Sequence, residues 1–592
     1  MKQFFKFVLA TVVGVVLSAL VLTLVLVLIL GGIISSAGGE KSTIVDNNSI
    51  LYISLKNAIE ERTPQNPLEG LDFLGLGGDK NIGLKDILAN IKKAKTDDKI
   101  KGIFLDESYM QSGQATTEEI RNGLIDFKKS GKFIVAYSEV YTKGFYYLAS
   151  VADKIYLNPK GMLEFDGFSS DVTFYKGALD KLGIEAQVIK VGTYKSAVEP
   201  YILTKMSDAN RLQVNSYINS LYNHYLKGIG QSRGINKDSL YKYADDLYIK
   251  EPEDALKYKL IDGLKYKDEI IADLKKRTGI GAKSDLNTVD LVDYTNAAGG
   301  DEDGEVSTNR IAMVYASGEI AGGEGNDNSI GSETLSKALR KVRTDDKIKA
   351  VVLRVNSPGG SSLASDVIWR EVMLTRKVKP VIVSMGDMAA SGGYYIACAA
   401  DSIYAQPNTV TGSIGIFAIL PNMQKLLNDK LGITTDNVKT GKYANMGSVD
   451  RPLTPEERAI LQAQVNRGYF DFTKAVADGR HKTREYIDSI GQGRVWTGEQ
   501  AIKIGLVDRL GNLNDAVKSA AKMAKLKEYR VVDYPDQKSV LKSLGANFSA
   551  KIRESMVQSE LGEHYSVYKQ IKGLTQIMRI PQARMFYNVE IK

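Results

Sequence analysis

Hydrophobic positions along the chain fall into two regimes. From Phe7 to Ile34 no charge interrupts an apolar run of 28 residues dominated by Val and Leu. A helix of that length, at 1.5 Å per residue, crosses a hydrocarbon core of about 30 Å. Lys2 and Lys6 precede the run and the mixed pair Glu40 and Lys41 follows it, which predicts an N-terminus inside and a body outside the cytoplasm. The run is longer than the roughly 7–15 apolar residues of a cleaved leader. An uncleaved anchor over residues 1–40 is therefore expected, although Ser35-Ser36-Ala37 is a passable cleavage site.

Beyond the anchor, short β-branched stretches alternate with longer helical periodicities. Ile311 to Tyr315, Ala350 to Val355 and Pro380 to Met385 read as buried strands, with Thr334 to Arg343 and Ala364 to Thr375 as intervening helices. Such alternation predicts parallel βαβ units with helices covering the sheet, an α/β fold. Thr454-Pro-Glu-Glu457 and Thr497-Gly-Glu-Gln500 carry the Ser/Thr-x-x-Glu/Gln signature of helix starts.

The pattern occurs twice. Thr96-Asp-Asp-Lys-Ile-Lys101 recurs as Thr344-Asp-Asp-Lys-Ile-Lys349, a shift of 344 − 96 = 248. At the same shift Gly144–Tyr156 stands over Gly392–Tyr404, and one residue out of register Leu182-Gly-Ile184 stands over Leu431-Gly-Ile433. Ala255–Leu264 likewise parallels Ala501–Leu510. Two copies of one domain are expected, 41–295 and 310–592, joined by the Gly/Asp/Glu-rich stretch 296–309 as a linker.

Composition excludes several classes. With 592 residues, 43% hydrophobic and 25% charged, the chain exceeds one core and is not disordered. Its net charge of +8 is dispersed, without a basic stripe for nucleic acid. The single cysteine, Cys398, rules out an intrachain disulfide and a CxxC site, and its small apolar surroundings predict a packing thiol. His224, His481 and His564 are the only histidines and form no HExxH or His cluster, so neither metal nor cofactor is expected.

Differences between the copies point to the chemistry. In the second copy a strand ends in Asn356-Ser-Pro-Gly-Gly-Ser-Ser362, where the first has Glu107-Ser-Tyr-Met-Gln-Ser-Gly113. The next strand leads to Ala389-Ala-Ser-Gly-Gly393, and the first-copy counterpart of Ser391 is Lys143. Each glycine motif alone need be only a tight turn. Together, with Ser391 between them and both missing from the other copy, they predict a nucleophile flanked by oxyanion donors: Gly392 and either Gly359 or Gly360. No histidine lies near enough in sequence to activate that serine. The first copy, however, holds Lys195 in Val191–Pro200, where the second has Ala444. A loop lysine is ordinarily a solvated charge, yet this reciprocal loss is what one catalytic pair divided between two domains would leave. As a general base Lys195 must be neutral, its pKa brought from about 10.4 to roughly 7–8 by burial. Ser413, on the turn Val410-Thr-Gly-Ser-Ile414, is either a plain turn serine or the hydroxyl that orients the amine.

These motifs, with Gly493–Gly511, resemble the long, two-domain form of the bacterial signal peptide peptidase SppA (protease IV) family, over nearly the whole chain. The resemblance implies tandem Clp protease/crotonase-like domains and a Ser/Lys dyad: Ser391 as nucleophile, Lys195 as base, Ser413 as the lysine-orienting hydroxyl and Gly392 as oxyanion donor. It further implies a homotetramer tethered to the bacterial inner membrane, acting outside the cytoplasm on signal peptide remnants and hydrophobic peptides. Two other readings use the same residues. A crotonase-like acyl-CoA enzyme needs the oxyanion turns but no serine, and an extracytoplasmic body lies away from acyl-CoA. A non-catalytic membrane scaffold would have no reason to keep both Ser391 and Lys195. A Ser-His-Asp triad fits poorly, since Gly-x-Ser-x-Gly is absent around Ser391. The SxxK pairs Ser519/Lys522 and Ser539/Lys542 sit in charged helical stretches without a glycine turn.

Overall fold

Alternating β-branched strands and amphipathic helices produce two parallel sheets, one in each half of the chain. The computed structural model describes residues 2–37, 43–64, 81–297, 307–326, 329–537, 557 and 581–585; within the first helix, side chains are described at 3, 4, 6, 7 and 10–25. In the first half, six parallel strands follow the order Gly263–Leu264, Lys154–Leu163, Phe133–Tyr141, Ile100–Asp106, Ser49–Ile53, Thr288–Asp290. In the second half, Val381–Ala390, Ile348–Ser357, Arg310–Ser317 and Arg530–Tyr534 lie parallel in the same manner. All three predicted second-half strands are present, and helices Ser332–Thr344 and Ser362–Arg376 cover the predicted helical stretches. Thr454 caps Pro455–Arg480 and Thr497 caps Gly498–Ala501, each through a capping box; the second helix is only four residues long.

The N-terminal apolar run forms one helix, Lys2–Ala37, whose apolar side chains from Phe7 to Val25 include Leu17, Leu20 and Leu22 in exposed positions. Among the described residues no helix is long and apolar enough to cross a membrane. The expected span also runs through 26–34, whose side chains lie outside the described set. Most of the expected linker, residues 298–306, and the pair Ser539/Lys542 lie outside it too.

A third sheet joins the halves. Its order is Ser329–Gly331, Glu319–Ala321, Gly359–Ser361, Gln582–Arg584, Phe417–Asn422, Glu185–Lys190. The last strand comes from the first half and pairs antiparallel with Phe417–Asn422, Lys190 opposite Phe417. A buried ionic cluster forms a second junction. Arg354, 0% exposed, donates through Nε to Glu61 Oε2 at 2.8 Å and lies 2.7 Å from Glu119 Oε1. Asp387, on the strand that leads to Ser391, accepts from the backbone N–H of Thr116 at 2.9 Å and from its hydroxyl at 2.5 Å, capping helix Gln114–Lys128 of the first half. Removing one partner of such a buried cluster costs about 3–5 kcal/mol, because the remaining charge is left without compensation.

Candidate active site

Ser391 sits where strand Val381–Ala390 turns into the short helix Gly392–Ala397. Its φ of 56° and ψ of −114° are unusual for a residue with a side chain, and such strain costs about 1–3 kcal/mol. The surroundings hold it there: its N–H donates to Gly412 C=O at 2.8 Å and its carbonyl accepts from Tyr395 N–H at 2.8 Å.

Lys195 reaches the same place from the first half. The pairing of Glu185–Lys190 with Phe417–Asn422 brings the two following and preceding turns side by side, Val191 to Lys195 against Ser413 to Ile416. Val191 N–H donates to Ile416 C=O at 3.1 Å, and Tyr194 N–H to Gln492 C=O at 2.8 Å. Space for the lysine comes from two glycines. A Cβ on Gly493, where φ is +81°, would lie 2.6 Å from the Lys195 nitrogen, and one on Gly415 would lie 3.1 Å from its Cδ.

Lys195 Nζ ends 2.9 Å from Ser391 Oγ, 3.0 Å from Ser413 Oγ and 3.0 Å from the Ser413 carbonyl. All three residues are buried: Lys195 is 1% exposed, Ser391 0% and Ser413 2%. Burial alone pulls the ammonium down to about 7, since desolvation disfavours the charged form. An amine near that value is neutral for a large part of the time at neutral pH and can accept a hydroxyl proton.

The glycine turns meet beside this group. A Cβ on Gly359 would lie 2.6 Å from the Gly392 nitrogen, so the two turns touch through backbone. The Gly359 N–H already donates to Ser357 Oγ at 3.1 Å, whereas Gly360 belongs to the sheet ladder beside the serine. The structure thus brings Ser391, Lys195, Ser413, Gly392, Gly359 and Gly360 together at one point.

Comparison of the sequence with known proteins decides the family. The profile of Peptidase family S49 matches residues 126–281 and again 373–527, and that of Clp protease matches 302–411. The chain is 38% identical over 502 residues to "Protease 4" of Salmonella typhi, covering 83% of this chain and 80% of that protein. The chain belongs to peptidase family S49. This S49 chain is also 37% identical over 513 residues to "Protease 4" of Haemophilus influenzae, covering 84% and 83% of the two. To "Serine protease SPPA, chloroplastic" of Arabidopsis thaliana it is 33% identical over 487 residues, covering 81% and 70%. It is a serine peptidase of α/β fold with Clp-protease-like tandem domains.

The remaining candidates lie elsewhere in the S49 chain. Lys143, the first-half counterpart of Ser391, makes an ion pair with Asp166 at 2.7 Å, and Ala444, the counterpart of Lys195, is exposed. His224 meets Glu118 at 3.1 Å in the first half, His481 ends helix Pro455–Arg480, and His564 falls outside the described residues. Cys398 is fully buried, its thiol pushed up to about 12 by desolvation, as befits packing. Sequence reasoning missed Gly415, Gly493 and Glu61. Glu61 Oε1 accepts from Asn356 Nδ2 at 3.0 Å, and Asn356 Oδ1 accepts from Met388 N–H at 3.1 Å, so a first-half carboxylate steadies both turns. The adjacent acids of Ile59-Glu-Glu-Arg62 give no sign of that partnership; Gly415, next to the turn Val410–Ile414, and Gly493, at the start of Gly493–Gly511, could have been read as room for the lysine.

Proposed function

We propose that this serine peptidase works as a Ser/Lys dyad endopeptidase through an acyl-enzyme. The observation that carries the reading is the 2.9 Å approach of Lys195 Nζ to Ser391 Oγ in a fully buried setting. Neutral Lys195 takes the Ser391 proton as Oγ attacks the scissile carbonyl carbon. The developing oxyanion is met by the N–H groups of Gly392 and Gly360, the Gly359 N–H being engaged by Ser357. The lysine then hands its proton to the leaving amine, and a water, deprotonated by the same lysine, hydrolyses the ester. Ser413 holds the amine in line through its hydroxyl and carbonyl. An acyl-CoA enzyme or a scaffold would need neither the lysine nor its approach to the serine.

The domains we propose are 41–295, bearing the base, and 310–592, bearing the nucleophile, with 296–309 as linker. The substrates would be signal peptide remnants and other short hydrophobic peptides. The exposed apolar side chains of helix Lys2–Ala37 support a membrane tether, and with it we propose a bacterial inner-membrane homotetramer whose body lies outside the cytoplasm. Incubation with a serine-reactive phosphonate followed by peptide mapping tests the core of the reading. The adduct is expected on Ser391 and lost in Lys195→Ala; modification of a different serine would overturn it. Carbonate extraction of membranes tests the tether, with release of the full chain as the opposing result.

A further inference from the structure

A single buried carboxamide links the loop that carries Lys195 to the strands that hold Ser391. Gln213, 1% exposed, lies in the second turn of helix Asp208–Arg233 of the first half. Its Nε2 donates to the Tyr194 C=O at 3.0 Å, and its Oε1 accepts from the Val495 N–H of the second half at 3.3 Å. A carbonyl on one side and an N–H on the other fix which way the amide points, since only its nitrogen donates and only its oxygen accepts. Val495 has no rival acceptor in its own ladder. It stands opposite Gly412 in an antiparallel pair, and Ser413 N–H donates to Arg494 C=O at 2.7 Å. Bonded pairs alternate along such a ladder, so the Val495 N–H faces away from Gly412 and toward the helix.

Both anchors lie one step from the reacting atoms. The Tyr194 C=O belongs to the planar peptide that joins Tyr194 to Lys195, so its direction sets where the lysine leaves the backbone. On the other side Gly412, the partner of Val495, accepts the Ser391 N–H at 2.8 Å. The surroundings serve the same amide. Nε2 also lies 3.1 Å from Asn210 Oδ1 and touches Ser196 Oγ. Asn210 Nδ2 in turn donates to Glu199 Oε2 at 3.0 Å, so the loop after Lys195 is tied to the helix through buried polar groups. The helix is itself fastened to the second half: Ser220 Oγ lies 2.7 Å from Thr497 Oγ1, and Gln500 Nε2 donates to Ser216 Oγ at 3.1 Å. Beside Val495, the Arg494 guanidinium lies 5.2 Å from the centre of the Tyr194 ring.

We propose that Gln213 is a positioning residue for peptide hydrolysis, holding the peptide before Lys195 in register with the strands behind Ser391. The inference rests on the Ser391/Lys195 reading. The gap demands a side chain of this length with a donor and an acceptor at its end: a shorter amide reaches one anchor only, and an apolar side chain satisfies neither. Without the amide the Val495 N–H is buried without an acceptor and the Tyr194 C=O loses its tie across the halves. Lys195 Nζ must then find Ser391 Oγ from a loop free to turn, and a displacement of about 1 Å costs on the order of 100-fold in rate.

Steady-state kinetics of Gln213→Met and Gln213→Asn in the full chain test this, with active sites counted by labelling to completion with a serine-reactive phosphonate and Tm followed by circular dichroism. Both variants are expected to label Ser391 to the same final extent as wild type, with kcat per labelled site lower by about 10–100-fold and KM within about twofold. A kcat per site within about twofold of wild type in either variant overturns the inference even where Tm falls, because a residue that only stabilises the fold gives that pattern. Loss of folded protein in both variants overturns it as well. Lys195→Ala hydrolysing peptide at the wild-type rate overturns the Ser391/Lys195 reading itself, and this inference with it. An inert Lys195→Ala beside fully active Gln213 variants overturns the inference alone.

Discussion

Lys195 Nζ lies 2.9 Å from Ser391 Oγ although 196 residues separate them in sequence. No carboxylate forms an ion pair with that lysine among the described residues, and burial alone lowers it to about 7. Its electrostatics make the pH profile the most direct test. Peptide hydrolysis, as kcat/KM, is expected to fall about tenfold per pH unit below pH 7, where the amine is protonated, and to level off above about pH 8. A profile flat between about pH 6 and 9 would remove lysine as the base.

Lys195→Met should abolish activity and stabilise the fold. The unfolded lysine, near 10.5, binds its proton more tightly than the folded one, near 7, so the folded state is penalised. The penalty is complete below about pH 7, at about 5 kcal/mol, and shrinks as pH rises through the window from 7 to 10.5. Methionine fills similar space without charge. Urea unfolding of the two proteins should show a larger gain at pH 6 than at pH 9.

Ser413→Ala removes one of the two Ser413 acceptors on the lysine and leaves the carbonyl at 3.0 Å. The amine gains freedom to turn from Ser391, so kcat should fall by about 10–100-fold with KM little changed. Steady-state kinetics on one fluorogenic peptide separates the two parameters.

Gly493→Ala places a Cβ 2.6 Å from the Lys195 nitrogen at a φ of +81°. Backbone cannot move aside as a flexible side chain can, so Lys195 must shift. A displacement of about 1 Å costs on the order of 100-fold in rate. Activity should fall by that amount while far-ultraviolet circular dichroism is unchanged.

Glu61→Ala leaves the guanidinium of Arg354, 0% exposed, short of a partner and frees Asn356. Stability should drop by about 3–5 kcal/mol in chemical denaturation. Peptide hydrolysis should drop as well, since Asn356 no longer steadies the Met388 N–H before Ser391.

Much of the second-half sheet was legible because buried parallel strands need continuous β-branched stretches, as in Ile348–Ser357 and Val381–Ala390. Ser391 and Lys195 could be singled out because duplication supplied an internal control: Lys143 and Ala444 stand at their counterpart positions. The ionic junction was not legible. Glu61, Glu119 and Arg354 look like any charges of a chain that is 25% charged, and only packing reveals that they are buried together.

The sequence by itself determined the α/β pattern, the repeated domain and the identity of the residues that meet, since periodicity and residue type are local properties. Tertiary structure alone decided that a strand from the first half pairs with Phe417–Asn422 and carries Lys195 to Ser391. It also decided that Gln582–Arg584 lies against Gly359–Ser361. Ladder partners and desolvation arise only when distant segments pack, and the lowered pKa of Lys195 exists only once that burial is complete.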